Sequence, residues 1–294
     1  MMVVAPVVAF SLMPPPPATA PRDQPAQHLS TFNWHQEGDW FGGFSGFEIT
    51  EDGNAFFTIT DRGSIVRGEL IREGDAITGV EMMERQPLVD MEGQKRNFPH
   101  TDAEGLARDQ QGRLFVSFEH AHRILRYDTW DSPAIWPSYT PEWRALVANT
   151  GLETVAVQAD GTIFSISEGV EPDIHEALVY RRLPDEKWDQ PFTLALEGGF
   201  VPVGGDFGPD EKLYVLERHF TPYGFQSQVR RMDVTANGFE NTETILQTPV
   251  RQHGNIEGLA VWKDGGGKIR LTMISDDNFL PILPTDIIEY IVNE

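Results

Sequence analysis

One short pattern returns five times along this chain: a small or acidic residue beside Gly, an apolar strand, a turn, and a second apolar strand ending in a carboxylate. The copies run from Ser45-Gly46-Phe47 to Asp61, from Glu104-Gly105-Leu106 to Glu119, and from Leu152-Glu153 to Glu168. Two more run from Gly205-Asp206-Phe207 to Glu217 and from Glu257-Gly258-Leu259 to Asp276. Successive copies lie roughly 50 residues apart, a period that belongs to propellers and solenoids. The chain is therefore expected to be all-β, a propeller of about five four-stranded blades.

Each copy divides into short apolar runs separated by turn residues. In the second copy these are Gly105–Arg108, Leu114–Phe118, Arg123–Tyr127 and Trp143–Ala148. Pro141–Ala148 is also the best helix candidate, and the unassigned stretch Asp128–Pro141 leaves room for a sixth blade. In the first copy they are Gly46–Ile49, Ala55–Thr60, Ile65–Ile71 and Thr78–Met83, with Asp52-Gly53 as a tight hairpin turn. The fifth copy runs out of chain before its outer strand. A ring left open would expose two sheet edges, so the strand-like segment Leu29–His35 is predicted to supply the missing strand.

The length of 294 residues suits one such domain, expected over residues 29–294 after a linker at 21–28. Residues 1–20 join a short apolar run to four prolines and Ala18-Thr19-Ala20. That pattern reads as a secretory signal peptide, with a disordered Pro-rich leader as the alternative; the apolar run is too short to span a bilayer. A periplasmic or secreted location follows from the first reading. The net charge of −22 repels nucleic acid and anionic membranes and leaves small molecules, cations or basic partners. With no cysteine, neither a thiolate nucleophile nor a thiolate metal site exists.

The first two strands of a blade form an antiparallel hairpin, so the start of one and the end of the next share an edge. Glu104, Glu119, Glu153, Glu168, Glu257, Asp276 and Asp277 are thus expected at one mouth of the central channel, with Asp61 and Glu217 extending the ring. Taken singly, such acids cap turns or pair with Arg. Gathered at one mouth they repel, by about 3–4 kcal/mol per pair at ~4–6 Å and an effective dielectric near 20. Protonation, neighbouring Arg or His, or a bound cation would relieve this. Arg62, Arg218, His219, His120, His100 and His253 lie beside the acids in sequence. A hard cation such as Ca²⁺ would take the carboxylates together with Asn278 or backbone oxygens.

The ordered set of motifs resembles the phytase-like propellers, the family labelled "esterase-like activity of phytase". The matching segments are Phe41–Phe47, Thr60-Asp61-Arg62-Gly63, Asp102–Ala107, Val116–Glu119, Gly151-Leu152-Glu153, Leu216–Pro222, Ile256–Val261 and Ile274–Phe279. The resemblance covers about residues 29–292 and implies a secreted or periplasmic propeller hydrolysing esters, phosphoric esters among them. Two copies depart from Glu-Gly, with Ser45 in the first and Gly204-Gly205-Asp206 in the fourth, so the inner acids come from blades two, three and five. Only Arg62 and Arg218 are well placed for a phosphate.

On this basis Glu104 or Glu257 is expected to orient or deprotonate water, with Arg62, Arg218 and His219 stabilising negative charge. The expected cation ligands are Glu104, Glu153, Glu257, Asp61, Glu119, Glu168, Glu217, Asp276, Asp277 and Asn278. The substrate would be a small ester, phosphoester or lactone. No Gly-x-Ser-x-Gly elbow is present for serine catalysis. The alternative is a non-catalytic cell-envelope propeller holding a structural Ca²⁺.

Overall fold

The structure is a computed structural model that describes residues 23–146, 151–169, 175–184 and 187–293; the leader expected at 1–20 lies outside them. Among the described residues, twenty strands form five four-stranded antiparallel sheets. Blade one holds β2 (Phe44–Ile49), β3 (Ala55–Thr60), β4 (Ser64–Glu73) and β5 (Ala76–Pro87). Blade two holds β6 (Ala103–Arg108), β7 (Leu114–Phe118), β8 (Arg123–Tyr127) and β9 (Ala134–Ser138). Blade three holds β10 (Leu152–Val157), β11 (Ile163–Ser167), β12 (Glu176–Arg182) and β13 (Trp188–Ala195). Blade four holds β14 (Val201–Phe207), β15 (Leu213–Thr221), β16 (Gly224–Thr235) and β17 (Gly238–Gln247). Blade five holds β18 (Asn255–Lys263), β19 (Ile269–Asp276) and β20 (Asp286–Val292), and β1 (Ala26–Asn33) pairs with β20 as its outer strand. The fold is thus a five-bladed β-propeller closed by its N-terminal strand.

That closing strand begins earlier than its apolar pattern suggested. Ala26 already pairs with Val292, and Gln24 exchanges hydrogen bonds with Gln247. Much of the expected linker therefore belongs to the ring, because ladder hydrogen bonds recruit polar residues that carry no hydrophobic signal. In blade two the outer strand is Ala134–Ser138, and Pro141–Ala145 forms a 3₁₀ turn that buries Trp143. The stretch that left room for a sixth blade thus completes the second. Pro137 is tolerated there because β9 is an edge, and Pro141 starts the helical turn that ends the sheet.

Among the described residues, five apolar cores lie between neighbouring blades. The one between blades five and one stacks Trp34, Phe44, Phe47 and Phe56 against Ala260, Trp262 and Ile274. The same seam carries an ionic clasp. Arg72 of β4 donates to both oxygens of the fully buried Glu289 of β20 at 2.8 Å each, and Arg270 reaches the same carboxylate at 3.4 Å. Burying these charges is tolerated because each is paired on more than one side.

The inner strands β2, β6, β10, β14 and β18 meet around the axis. A Cβ on Gly258 would lie 2.4 Å from the carbonyl oxygen of Ser45, and one on Gly204 would lie 2.6 Å from that of Glu257. Only a residue without a side chain lets one backbone approach the next this closely. Blade three carries Thr154 at the same position, and Gly205 of the next strand leaves room for its methyl group. The repeated glycine is thus a packing requirement of a five-membered ring. Gly258→Ala is expected to destabilise the fold by about 1–3 kcal/mol, the usual cost of overpacking against backbone. Gly265→Ala, in open solvent with nothing within 4 Å of the added methyl, should be near neutral. Denaturant titration of both variants checks this, and equal midpoints would contradict it.

Candidate functional site

Every inner strand breaks register at the repeated position. The shift falls between Phe44 and Phe47, Ala103 and Leu106, Leu152 and Thr154, Pro202 and Gly204, and Ile256 and Gly258. A bulge inserts an unpaired residue and re-aims its side chain. The residues at the bulges are Ser45, Glu104, Glu153, Val203 and Glu257. A second ring comes from the neighbouring strand, one step beyond the last pair before each bulge: Asp61, Glu119, Glu168, Arg218 and Asp276. Glu-Gly in blades two and five therefore aligns with Val203-Gly204 in blade four, not with Gly205-Asp206.

The alignment moves two expected residues. Glu217 faces away from the channel, fully buried, with Arg230 and Gln228 as partners; Gln228 donates to it at 2.7 Å. Arg218 takes the ring position instead, since adjacent strand residues point to opposite faces. Its guanidinium donates to Glu257, to Asn255 Oδ1 at 2.9 Å and to Glu168 Oε1 at 3.0 Å. Burial works against this charge, but Glu257, Glu168 and Glu153 overcome it and hold the proton more firmly than usual.

Around Arg218 the carboxylates act on one another. Burial first, then the Asp102 charge, lifts Asp61 to about 7. Asp102 rises to about 6 through burial and the charge on Glu119. Glu104 is pushed well above the usual range by burial and by Glu119, Glu257, Asp102 and Asp61. Glu153 is raised in the same way by burial and by Glu104, and it shares a hydrogen bond with Glu119. Asp276 follows through burial and Glu257. Glu168 and Glu257 are raised by burial and partly restored by Arg218. Among the described residues Glu104 has no hydrogen-bond partner, whereas Glu257 is held by Arg218 and Asn255.

One group at the rim joins Glu119 and His120, both singled out from the sequence, to Asp102, which was not. Oxygens of Asp102 and Glu119 and a ring nitrogen of His120 lie within 4.8 Å of one another. His120 Nδ1 is 3.7 Å from Asp102 and 3.8 Å from Glu119, too far for hydrogen bonds. It is buried and lacks a hydrogen-bond partner among the described residues, as does Asp61 Oδ1. Asp102 precedes Glu104 by only two residues, and that closeness in sequence was the available signal.

The remaining expected residues sit at the edge or elsewhere. Asp277 Oδ1 accepts from the backbone N–H groups of Gly43 and Phe279, and its other oxygen accepts from Thr285, so it holds the rim loop. Asn278 donates its backbone N–H to Asp276 at 2.7 Å from a left-handed conformation. Arg62 is exposed, lies 3.3 Å over the Phe279 ring and donates to the carbonyl oxygen of Asp39. His219 packs against Phe200, where burial lowers its pKa. His253 bonds Tyr290 and stacks on His28.

At the opposite end of the channel lies a second acidic pair, Glu48 and Asp206, where the other blades carry Ala107, Ala156 and Ala260. Each accepts a backbone N–H from another blade, Glu48 from Arg108 at 3.0 Å and Asp206 from Val261 at 2.7 Å. They tie inner strands together, and the close-packed glycine backbones separate them from the acidic mouth.

The fold is similar to that of the α-L-arabinofuranosidase from Podospora anserina, with 10% identity and a TM-score of 0.56 over 92% of this chain and 98% of that one. It is also similar to the PQQ-bound aldose sugar dehydrogenase from Streptomyces coelicolor, with 10% identity and a TM-score of 0.52 over 93% of this chain and 100% of that one. At such identity the likeness is one of fold alone. No curated protein matches the chain in sequence. From residue 39 to residue 279 the sequence matches the family described as "esterase-like activity of phytase", and the chain belongs to that phytase-like family.

Proposed function

We propose that this protein is a Ca²⁺-dependent hydrolase of small esters, phosphoric esters and lactones included, acting at the acidic mouth of the propeller. The observation that carries this is the convergence of Asp61, Asp102, Glu104, Glu119, Glu153, Glu168, Glu257 and Asp276 at one mouth, with the half-buried Arg218 paired to Glu168 and Glu257 among them. Pairs of such charges repel by about 3–4 kcal/mol at ~5 Å with an effective dielectric near 20. A donor set this rich in carboxylate oxygen fits a hard divalent cation. The buried Asp61 Oδ1, left without a partner among the described residues, fits it as well.

Glu104, Glu153 and Glu257 would hold the ion from the inner ring, with Asp61, Glu119, Glu168, Asp276 and Asp102 around them. When bound, it supplies Lewis-acid polarisation of the ester and draws an anionic substrate into an otherwise repelling mouth. Glu104, free of hydrogen bonds among the described residues, would offer one oxygen to the ion and with the other take the proton from the attacking water. Glu257, fixed by Arg218 and Asn255, orients that water. Arg218 faces the charge that develops on the substrate oxygen, and Arg62 on the rim meets an anionic group on entry. A periplasmic or extracellular location accompanies this proposal and rests on the N-terminal leader pattern.

Turnover of p-nitrophenyl phosphate, p-nitrophenyl acetate or a simple lactone should require Ca²⁺ and fall by about 10²-fold or more in Glu104→Gln, the usual contribution of a positioned base. No turnover of any of these, together with a chelator-sensitive melting temperature, would instead support the non-catalytic envelope propeller with a structural ion.

The raised carboxyls also set a pH dependence. The folded chain keeps protons on Asp61 up to about 7 and on Asp102 up to about 6, against 3.8 for the same groups unperturbed. Between these values the folded state binds more protons than the unfolded one, so stability falls as pH rises. In chelator the melting temperature should therefore drop from about pH 5 to about pH 7, while Ca²⁺ affinity rises over the same range as ligands lose protons. Thermal melts and calcium titrations across that range check both signs; an affinity independent of pH would contradict them.

A further inference from the structure

Between blades one and two, directly beside the acidic mouth, lies a cavity of about 250 Å³. Gly63, Thr101 and Phe118 line it, and Asp61, Asp102 and Glu119 stand one or two residues away along the chain. Its walls are largely apolar, with Leu88, Leu125 and Phe118 buried and Met91 exposed at the lip. Polar side chains interrupt that surface, and two of them lack the partners expected of them. Tyr127 is 2% exposed, and its hydroxyl has no hydrogen-bond partner among the described residues. Arg123 is partly buried and has no carboxylate partner there.

In a chain with 45 acidic and 23 basic residues, a partly buried arginine without an acid stands out. Its orientation is fixed nonetheless. Nη1 donates to the carbonyl oxygen of Ala121 at 2.9 Å, Nη2 to that of His100 at 2.6 Å, and the plane lies 4.1 Å over the Phe118 ring. These contacts tether the segment before Asp102 to the β7–β8 hairpin. They use two of five N–H donors and leave the positive charge uncompensated. The other charged groups at the cavity are already engaged. Asp90 accepts the N–H groups of Glu92 and Gln94 and pairs with Arg96, which also reaches Glu92.

A held guanidinium over an aromatic floor, with apolar walls around it, is a receptor for a planar or tetrahedral anion carrying a ring. We infer that this cavity binds the anionic group of a small aromatic acid or aryl phosphate, with Arg123 as the anion contact and the ring against Leu88 and Leu125. The volume is below the ~300–1,000 Å³ of drug-sized sites, which suits one ring and its acid group. Its role as a substrate subsite rests on the proposed hydrolysis at the adjacent mouth; its existence as a binding site does not.

Isothermal titration with phenylphosphonate, which has no ester to hydrolyse, tests the pocket independently of turnover. In chelator, where the acidic mouth repels anions, the wild-type protein should bind one equivalent, and methylphosphonate should bind more weakly. Arg123→Gln should weaken phenylphosphonate by at least about tenfold, the loss of a charge-assisted pair. Met91→Glu, an exposed substitution that brings a negative charge to the lip, should weaken it in a protein whose melting temperature is unchanged. No saturable binding at millimolar ligand, or binding unaltered in Arg123→Gln, overturns the proposal; should that variant fail to fold, unaltered binding in Met91→Glu does so. Ester turnover without phenylphosphonate binding would overturn the pocket and leave the hydrolase standing, and binding without turnover would do the reverse.

Discussion

Electrostatic repulsion at one end of a tightly packed ring governs this molecule. Five inner strands approach until glycine is the only residue that fits between several of them, and beside those glycines each strand bulges. The bulges carry Glu104, Glu153 and Glu257, and the hairpin partners add Asp61, Glu119, Glu168 and Asp276. Geometry that packs the ring thus concentrates its negative charge. Arg218 answers part of it by joining Glu168, Glu257 and Asn255. The remainder appears as carboxyls that hold their protons well above the usual range, and a divalent cation is the proposed resolution.

The two ends of the channel put the same residue types to different use. Glu48 and Asp206 are as buried as the mouth acids, but each accepts a backbone N–H from another blade. Glu217 is fully buried too and is neutralised by Arg230. What distinguishes Glu104 is the lack of any such partner among the described residues, alongside other carboxylates in the same state. Buried charge alone does not mark chemistry; buried charge left uncompensated beside a cleft is the more informative sign.

Much of the ring was legible in the sequence because its period and its glycines are direct consequences of packing. The closing strand followed from the need to cover two sheet edges. The outer strand of blade two was not legible, because Ala134–Ser138 is short, contains Pro137 and precedes a more hydrophobic segment around Trp143 that folds as a 3₁₀ turn. In blade four, consecutive glycines at 204 and 205 hid the register. A one-residue slip exchanges the two faces of a strand, so Glu217 took the position in the sequence that Arg218 holds in the fold. The bulges themselves leave no period-two signature, since each adds an unpaired residue where the alternation would otherwise continue. The place of Asp102 beside Glu119 and His120 was hidden for another reason: the group is assembled across the turn between two strands and needs the left-handed conformation at His120.

The most direct test of this account is a crystal structure of the protein grown with Ca²⁺, with the ion located by its anomalous signal. An ion coordinated by oxygens of Glu104, Glu153 and Glu257 at the mouth is the expected result. A mouth filled only by water, with calcium absent or bound elsewhere on the surface, would contradict it.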